Sequence, residues 1–166
     1  YQVEPIENAW LSVWRNVGLP DAKRYHLPEP NLFLPDRLIA RINPAPKTIP
    51  TRLIHRAGLR VWHLHDDSFA SPKASLFIAV DSEHAVVSPY HIAMTRLMVE
   101  LLLDHLNEFT YPAEIAGLNY NIYAHQGGFT IQLNGFSCRL YHLLELLLKN
   151  RTAGHYKSER FYAIRE

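Results

Sequence analysis

The chain has 166 residues, of which 48% are hydrophobic, and a formal net charge of +1 from 17 basic and 16 acidic side chains. This length and composition suffice for one domain with a real core. The balanced charge excludes the strong field expected of a protein that binds nucleic acid or an acidic membrane surface. The single cysteine, Cys138, excludes an internal disulfide and a cysteine-based zinc site, and no apolar run approaches the roughly 18 residues of a membrane span.

The first fifty residues predict a short helix followed by an ordered connector. From Asn8 to Val17, apolar side chains at Trp10, Leu11 and Trp14 fall on one helical face. Six prolines between Leu27 and Pro50 then favour extended backbone. We expect this connector to be ordered rather than a disordered linker because it carries five apolar anchors: Leu32, Phe33, Leu34, Leu38 and Ile39.

Three strands are predicted next. Residues 51–55 form a short run that includes Thr51 and Ile54. Within residues 58–66, the side chains of one face, Leu59, Val61 and His63, alternate with those of the other, Arg60, Trp62 and Leu64. After a turn that ends at Pro72, residues 73–81 are apolar on both faces. We therefore expect this third strand to be a buried, central strand of the sheet.

A long helix follows, because Ser88 and Pro89 are suited to the N-cap and the first helical position. Apolar residues recur at three- and four-residue steps as far as Phe109. Pro112 predicts a break, so residues 110–116 are expected to form a second, shorter helix that ends at Gly117.

The remainder predicts a hairpin and two further helices. In residues 118–123 and in residues 129–134, the side chains of an apolar face alternate with those of a polar face. Gly127-Gly128 lies between the two segments as the expected turn. Ser137 is positioned to begin a helix, and another short helix begins at Ser158. The fold class is therefore α+β, with a largely antiparallel sheet and helices packed on one face in two layers. Residues 1–166 are taken as one domain: helix and connector in 1–50, sheet and helices in 51–150, and the start of a helix in 151–166.

Two segments resemble half of a metal motif. The inverted zinc motif H-x-x-E-H places two imidazoles one helical turn apart beside a carboxylate that activates the metal-bound water. His105 and Glu108 have this spacing, as do His142 and Glu145, but Phe109 and Leu146 occupy the positions of the second histidine. Because neither side chain can bind zinc, the sequence predicts no catalytic residue and no metal ligand in this chain.

Other candidate sites have ordinary structural explanations. His63, His65, Asp66 and Asp67 could form a weak metal site at a strand end, or a solvated turn in which aspartate accepts backbone N–H groups. Cys138 lies in the first turn of a helix, which favours a thiolate, but no partner histidine is identifiable. For the histidine and aspartate group we favour a solvated turn, and for Cys138 we favour an inert thiol.

The polar face of the hairpin is the best candidate for contact with substrate or with another domain. Alternation places Asn119, Asn121 and Tyr123 on one face of the strand. Tyr120 lies on the opposite, apolar face with Leu118 and Ile122.

Several phrases, taken in order, resemble the middle domain of the pitrilysin and insulin-degrading-enzyme family, also called insulinase or peptidase M16. They are YQVEPI, LPEPNLFLPDRL, VWHLHDDSFASPKASL and LLLDHLNEFTYPAEIAGLNY. The resemblance runs from Tyr1 to the last complete helix and is strongest in the order and spacing of these phrases. The chain is similar to the first part of the third, non-catalytic domain, which implies that the family domain continues beyond Glu166.

The resemblance implies a parent zinc metalloendopeptidase whose four related domains surround a chamber and whose zinc ligands lie in the first domain. It implies that this chain helps to form the chamber wall and confine substrate, with other domains of the parent and peptide substrates as partners and no nucleic acid or membrane. Zinc is expected in the parent, with no cofactor here. A periplasmic location is suggested by bacterial pitrilysin, with the cytoplasm as the alternative.

Two alternatives remain open. The chain could be a free-standing module that binds peptides or proteins through its sheet edge or its polar sheet face. It could also belong to the related peptidase of pyrroloquinoline-quinone biosynthesis. An H-x-x-E-H motif several hundred residues upstream would support either peptidase, whereas a start codon immediately before Tyr1 would support the module.

Overall fold

The computed structural model describes residues 4–16, 29–40, 42, 48–66, 68–150 and 158–165, with only the backbone at 158–160 and 165. The chain divides into two compact units, residues 1–30 and 31–166. In the first, helix α1 (Asn8–Asn16) forms as predicted. The rings of Trp10 and Trp14, one helical turn apart, have centroids separated by 6.5 Å.

The described part of the second unit combines five strands with four helices, which confirms the predicted α+β class. In chain order these are β1 (Thr51–Arg56), β2 (Leu59–His63), β3 (Lys73–Asp81), α2 (Glu83–Val86), α3 (Pro89–Ile115), β4 (Asn119–His125), β5 (Gly128–Phe136), α4 (Ser137–Asn150) and α5 (Ser158–Arg165). No described helix combines the length and apolar character needed to cross a membrane.

The strands form two antiparallel sheets. Strands β1 and β2 make a two-stranded hairpin, and the second sheet has the order β3-β5-β4. The prediction that residues 73–81 form a central buried strand is wrong, because β3 lies at an edge and β5 lies in the centre. The apolar residues on both faces of β3 misled the prediction, since Phe77 leaves 60% of its surface exposed.

The inner face of the three-stranded sheet forms the core with α3 and α4. The register places Leu76, Leu133 and Tyr120 in one row across the three strands, and Ile78, Ile131 and Ile122 in the next. Helix residues packed against this face include Val99, Leu102, Leu106, Leu140, Leu143 and Leu147. One face of the sheet is therefore covered by helices, as the alternation on β4 and β5 predicted.

Helix α3 runs without interruption through Pro112, so the predicted break and separate short helix are wrong. A proline inside a helix removes one backbone hydrogen bond. The turn around it is held by tertiary packing, because Thr110 and Ala113 are buried on either side. The start is as predicted, since Ser88 Oγ accepts the N–H of His91. Gly117, predicted as the stop of the separate short helix, takes a φ of +78° just beyond α3.

The described part of the connector is held mainly by polar contacts. Phe33 is buried with 8% of its surface exposed, but Leu32, Leu34, Leu38 and Ile39 are all exposed. The prediction of five apolar anchors is therefore correct only for Phe33. Residues 27–28, 41 and 43–47 of the predicted connector lie outside the described residues.

The β4–β5 hairpin turns at Gln126 and Gly127, one residue before the predicted Gly127-Gly128 pair. Neither residue has a positive φ, so this is not one of the primed turns that usually close two-residue hairpins. Instead, Nδ1 of His125 accepts the N–H of Gly127 at 3.0 Å. Gly128 is required for a different reason, since a Cβ there would collide with the carbonyl oxygen of Val80.

Candidate interdomain or substrate surface

The outer face of the three-stranded sheet brings the predicted residues Asn119, Asn121 and Tyr123 together in one exposed line on β4. The register adds a second polar line on β5, because Asn134, Gln132 and Thr130 pair with these three residues in that order. A third line comes from β3, where Ser75, Phe77 and Ala79 pair with the same β5 residues. We call these nine residues the amide face.

The chemistry of the amide face is polar and uncharged. Its four carboxamides, at Asn119, Asn121, Gln132 and Asn134, offer hydrogen-bond donors and acceptors at neighbouring positions. Phe77 and Tyr123 border it on opposite edge strands and are 60% and 40% exposed. Such a surface can satisfy peptide backbone groups without selecting a charge.

The amide face ends at a histidine and an aspartate. His125 and Asp81 both pair with Gly128 on β5, and Nε2 of His125 lies 3.9 Å from Oδ1 of Asp81. Because Nδ1 of the same ring accepts a backbone N–H, the neutral ring carries its proton on Nε2. This pair closes the hairpin end of the face.

On the opposite face, Tyr120 is partly buried and packs against the core. Its hydroxyl donates to Oδ1 of Asn107 at 3.1 Å and accepts from the hydroxyl of Thr110 at 3.4 Å. Burial raises the pKa of Tyr120, and the carboxylate of Glu114 adds to the rise, while the hydrogen bond from Thr110 opposes it. This residue is structural, as the alternation predicted.

Side chains of the two partial zinc motifs contact neighbouring residues of their own helices. In α3 the rings of His105 and Phe109 pack edge to face with centroids 5.3 Å apart. In α4 Glu145 forms an ion pair with Lys149 at 2.8 Å, and that lysine lowers the pKa of the carboxylate. Phenylalanine and leucine fill the place of the missing histidine in each helix, so neither segment has the ligand set for zinc.

The acidic and histidine cluster near the end of β2 forms a turn. Oδ1 of Asp66 accepts both the N–H and the hydroxyl of Ser68, which lowers the pKa of Asp66. Asp67 lies outside the described residues. Within the part of the chain that the structure describes, no group of three or more His, Cys, Asp or Glu side chains is placed to hold a metal ion.

Cys138 helps to fix the connector. Its thiol donates to the carbonyl oxygen of Arg37 at 3.6 Å, and the next residue, Arg139, donates from Nε to the carbonyl oxygen of Leu34 at 2.9 Å. The thiol of Cys138 and, to a lesser extent, the guanidinium of Arg139 lower the pKa of Asp36. These contacts give Cys138 a structural role.

Six residues of the amide face were not named as site residues from the sequence. Thr130, Gln132 and Asn134 were placed on a polar face by alternation, and naming them required only the pairing of the two hairpin strands. Ser75, Phe77 and Ala79 carried no such signal, because the apolar pattern of their strand predicted burial on both sides.

Comparison with protein families shows to which family the chain belongs. The family model described as the middle or third domain of peptidase M16 matches residues 1–166. The chain belongs to this family. The predicted membership in the pitrilysin and insulin-degrading-enzyme group is thereby confirmed.

Curated relatives of this peptidase family are similar over the same span. The chain is 32% identical over 166 residues to insulin-degrading enzyme-like 1, peroxisomal, of Arabidopsis thaliana, covering 100% of this chain and 17% of the relative. It is 30% identical over 167 residues to human insulin-degrading enzyme, covering 100% and 16%. The chain therefore spans about a sixth of the length of the relatives that it matches.

Among solved structures, a crystal structure of pitrilysin superposes with a TM-score of 0.74 at 23% sequence identity. The match covers 84% of this chain and 15% of that chain. It confirms the α+β fold.

Proposed function

We propose that the chain is a non-catalytic, chamber-forming domain of a larger zinc-dependent endopeptidase that degrades peptides. Its match to the middle domain of a peptidase family supports this role, as does its coverage of about a sixth of insulin-degrading enzymes. The parent would hold zinc in another domain. Its other domains and its peptide substrates would be the partners of this chain.

The amide face is the observation that carries the proposal. Helices cover the inner face of the sheet, while the outer face is polar and lacks formal charge in its three central rows. A wall that must admit many peptides should bind water and peptide backbone weakly and should not select one side-chain charge. Of the two roles predicted for Asn119, Asn121 and Tyr123, contact with substrate or with another domain, we propose the first, in which they line the chamber.

The experiment uses the complete parent protein and two fluorogenic peptides of equal length, one acidic and one basic. A charge placed on a chamber wall should act on both through the field inside a confined space. The double variant Asn121→Asp, Gln132→Glu is expected to lower kcat/KM for the acidic peptide several-fold and to raise it for the basic one. The matched control, Tyr141→Asp, adds a carboxylate at an exposed position of α4 and should leave the ratio unchanged.

Two results would contradict the proposal. One is an unchanged ratio of kcat/KM in the double variant, since the amide face would then not face the substrate. The other is robust peptide hydrolysis by the 166-residue chain alone with added zinc, because the chain would then contain its own catalytic site.

A further inference from the structure

Strand β4 has an edge that no described strand covers. The sheet order β3-β5-β4 leaves β4 paired on one side only. In a two-residue hairpin the residues that flank the loop form a hydrogen-bonded pair, here His125 with Gly128. Alternation then directs the N–H and C=O groups of Tyr120, Ile122 and Ala124 away from β5. An exposed row of such groups is a template for another strand.

A groove lies along this edge. One cavity of about 390 Å³ is bordered by four consecutive residues of β4, Asn121 to Ala124, and by α3 residues that include Val99 and Leu103. Side chains alternate between the two faces of a strand, so four consecutive residues can border one cavity only along the strand edge. The far wall of the groove is therefore α3.

A second cavity continues the groove towards the hairpin turn. It measures about 240 Å³ and is bordered by Ala124, Ile92 and two residues of α2, Ala85 and Val86. Both cavities share Arg96 and Ala124 as lining residues. The surface of the second is mainly apolar, whereas the first is as polar as it is apolar and is bordered by Glu100 in addition to the shared Arg96.

We propose that β4 binds an extended peptide segment as an added strand, with two alternate side chains of the peptide in the two cavities. Side chains at i and i+2 of a strand lie on one face and about 6.6 Å apart, the same step that separates Ile122 from Ala124 on β4. The cavity near the turn suits a branched apolar side chain such as valine. The other suits a longer side chain with a polar end, which can donate to Glu100 and accept from Arg96.

This inference goes beyond the proposed function, because a peptide would bind to β4 whether or not the parent protein cleaves it. Backbone hydrogen bonds would supply affinity, and the two cavities would supply selectivity. Loss of either contribution can therefore be measured separately.

The probe is a fluorescein-labelled peptide of about seven residues, matching a typical strand, with the sequence Ser-Thr-Val-Thr-Gln-Thr-Ser. Its binding to the 166-residue chain is followed by fluorescence anisotropy. Two further peptides carry backbone N-methyl groups, one on Val and Gln and the other on the three Thr residues. Only one of these two sets can point its N–H groups at β4, so one methylated peptide should lose about tenfold in affinity and the other should bind nearly unchanged.

Variants of the chain locate the site. Ala124→Pro removes one outward N–H, and proline is tolerated where an edge N–H faces solvent. This variant should weaken binding about tenfold with an unchanged circular dichroism spectrum. Tyr141→Ala, at an exposed position of α4 outside both cavities and the amide face, is the control and should bind normally.

Three outcomes would overturn the proposal. The first is no binding of the unmodified peptide, and the second is equal loss of affinity in both methylated peptides, since binding would then not use an edge. The third is a concentration-dependent dimer, seen by sedimentation, that Ala124→Pro abolishes. In that case a second copy of the chain, and not a peptide, would occupy β4.

Discussion

The side-chain amide of Asn31 donates a hydrogen bond to the carbonyl oxygen of Pro112 at 2.7 Å, across 81 positions of sequence. Its Oδ1 accepts the N–H of Phe33 at 2.9 Å. One side chain thus fixes the connector to α3 at the proline turn and directs Phe33 into the core. A polar contact therefore has a role that the sequence pattern assigned to apolar anchors.

Asn31→Ala is expected to lower the free energy of unfolding by about 1–2 kcal/mol, because two hydrogen bonds are lost and the Phe33 N–H loses its acceptor. Asn31→Asp keeps an acceptor for the N–H of Phe33, so its free energy of unfolding should lie between those of the unchanged chain and Asn31→Ala. Urea unfolding measures the difference. The matched control is Leu32→Ala at the next position, where the side chain is 79% exposed and the change should stay within about 0.5 kcal/mol. Equal effects at the two positions would argue against the anchoring role of Asn31.

Gly128→Ala tests the close approach of β3 and β5. The backbone at Gly128 has a φ of +151°, and a Cβ would meet the carbonyl oxygen of Val80. We expect a loss of about 2–4 kcal/mol in unfolding free energy. Gly58→Ala is the control, since Gly58 also has a positive φ but has open space around it, so only about 1 kcal/mol should be lost. Similar losses would show that backbone conformation, and not the contact with Val80, decides the cost.

Adjacent residues on β4 should respond in opposite ways to truncation. Ile122 is 2% exposed in the core, whereas Asn121 is exposed on the amide face. Ile122→Ala should cost about 2–5 kcal/mol, and Asn121→Ala about 0.5 kcal/mol or less. Thermal or urea unfolding measures both. A reversed order would mean that the strand register is shifted by one residue.

Tyr120 gives the fold a dependence on alkaline pH. The pKa of Tyr120 is raised in the folded state, so the hydroxyl ionises at a lower pH in the unfolded chain than in the folded one. Its contribution to stability is complete below pH 10 and is lost as the pH rises through the folded pKa. Tyr120→Phe should therefore flatten the fall in stability above pH 10. Tyr141→Phe, at an exposed position, should leave that fall unchanged, and identical slopes for both variants would contradict the assignment.

The sequence predicted most elements because their periodicity is local. The ends of α3 could be read from Ser88 and Gly117, and the two faces of β4 from alternation. The break at Pro112 was predicted wrongly because the burial of Thr110 and Ala113, which holds the helix together, depends on residues far away in sequence.

The amide face was only partly predictable for a similar reason. Alternation identified the β4 line of Asn119, Asn121 and Tyr123, but the β3 line depends on how β3 pairs with β5. Pairing between distant strands is set by the whole sheet, and no local pattern in residues 73–81 reveals that Phe77 faces outwards.

The hairpin of β1 and β2 packs extensively only within itself among the described elements. It is held by its own ladder and by the Arg52 guanidinium, which lies 5.8 Å from the centre of the Trp62 ring. Two-stranded hairpins are marginally stable on their own, so its amide hydrogens should exchange with deuterated solvent much sooner than those of β5. Any neighbour that covers Trp62 would slow that exchange. The exchange rate of the hairpin amides therefore reports directly whether another protein surface covers Trp62.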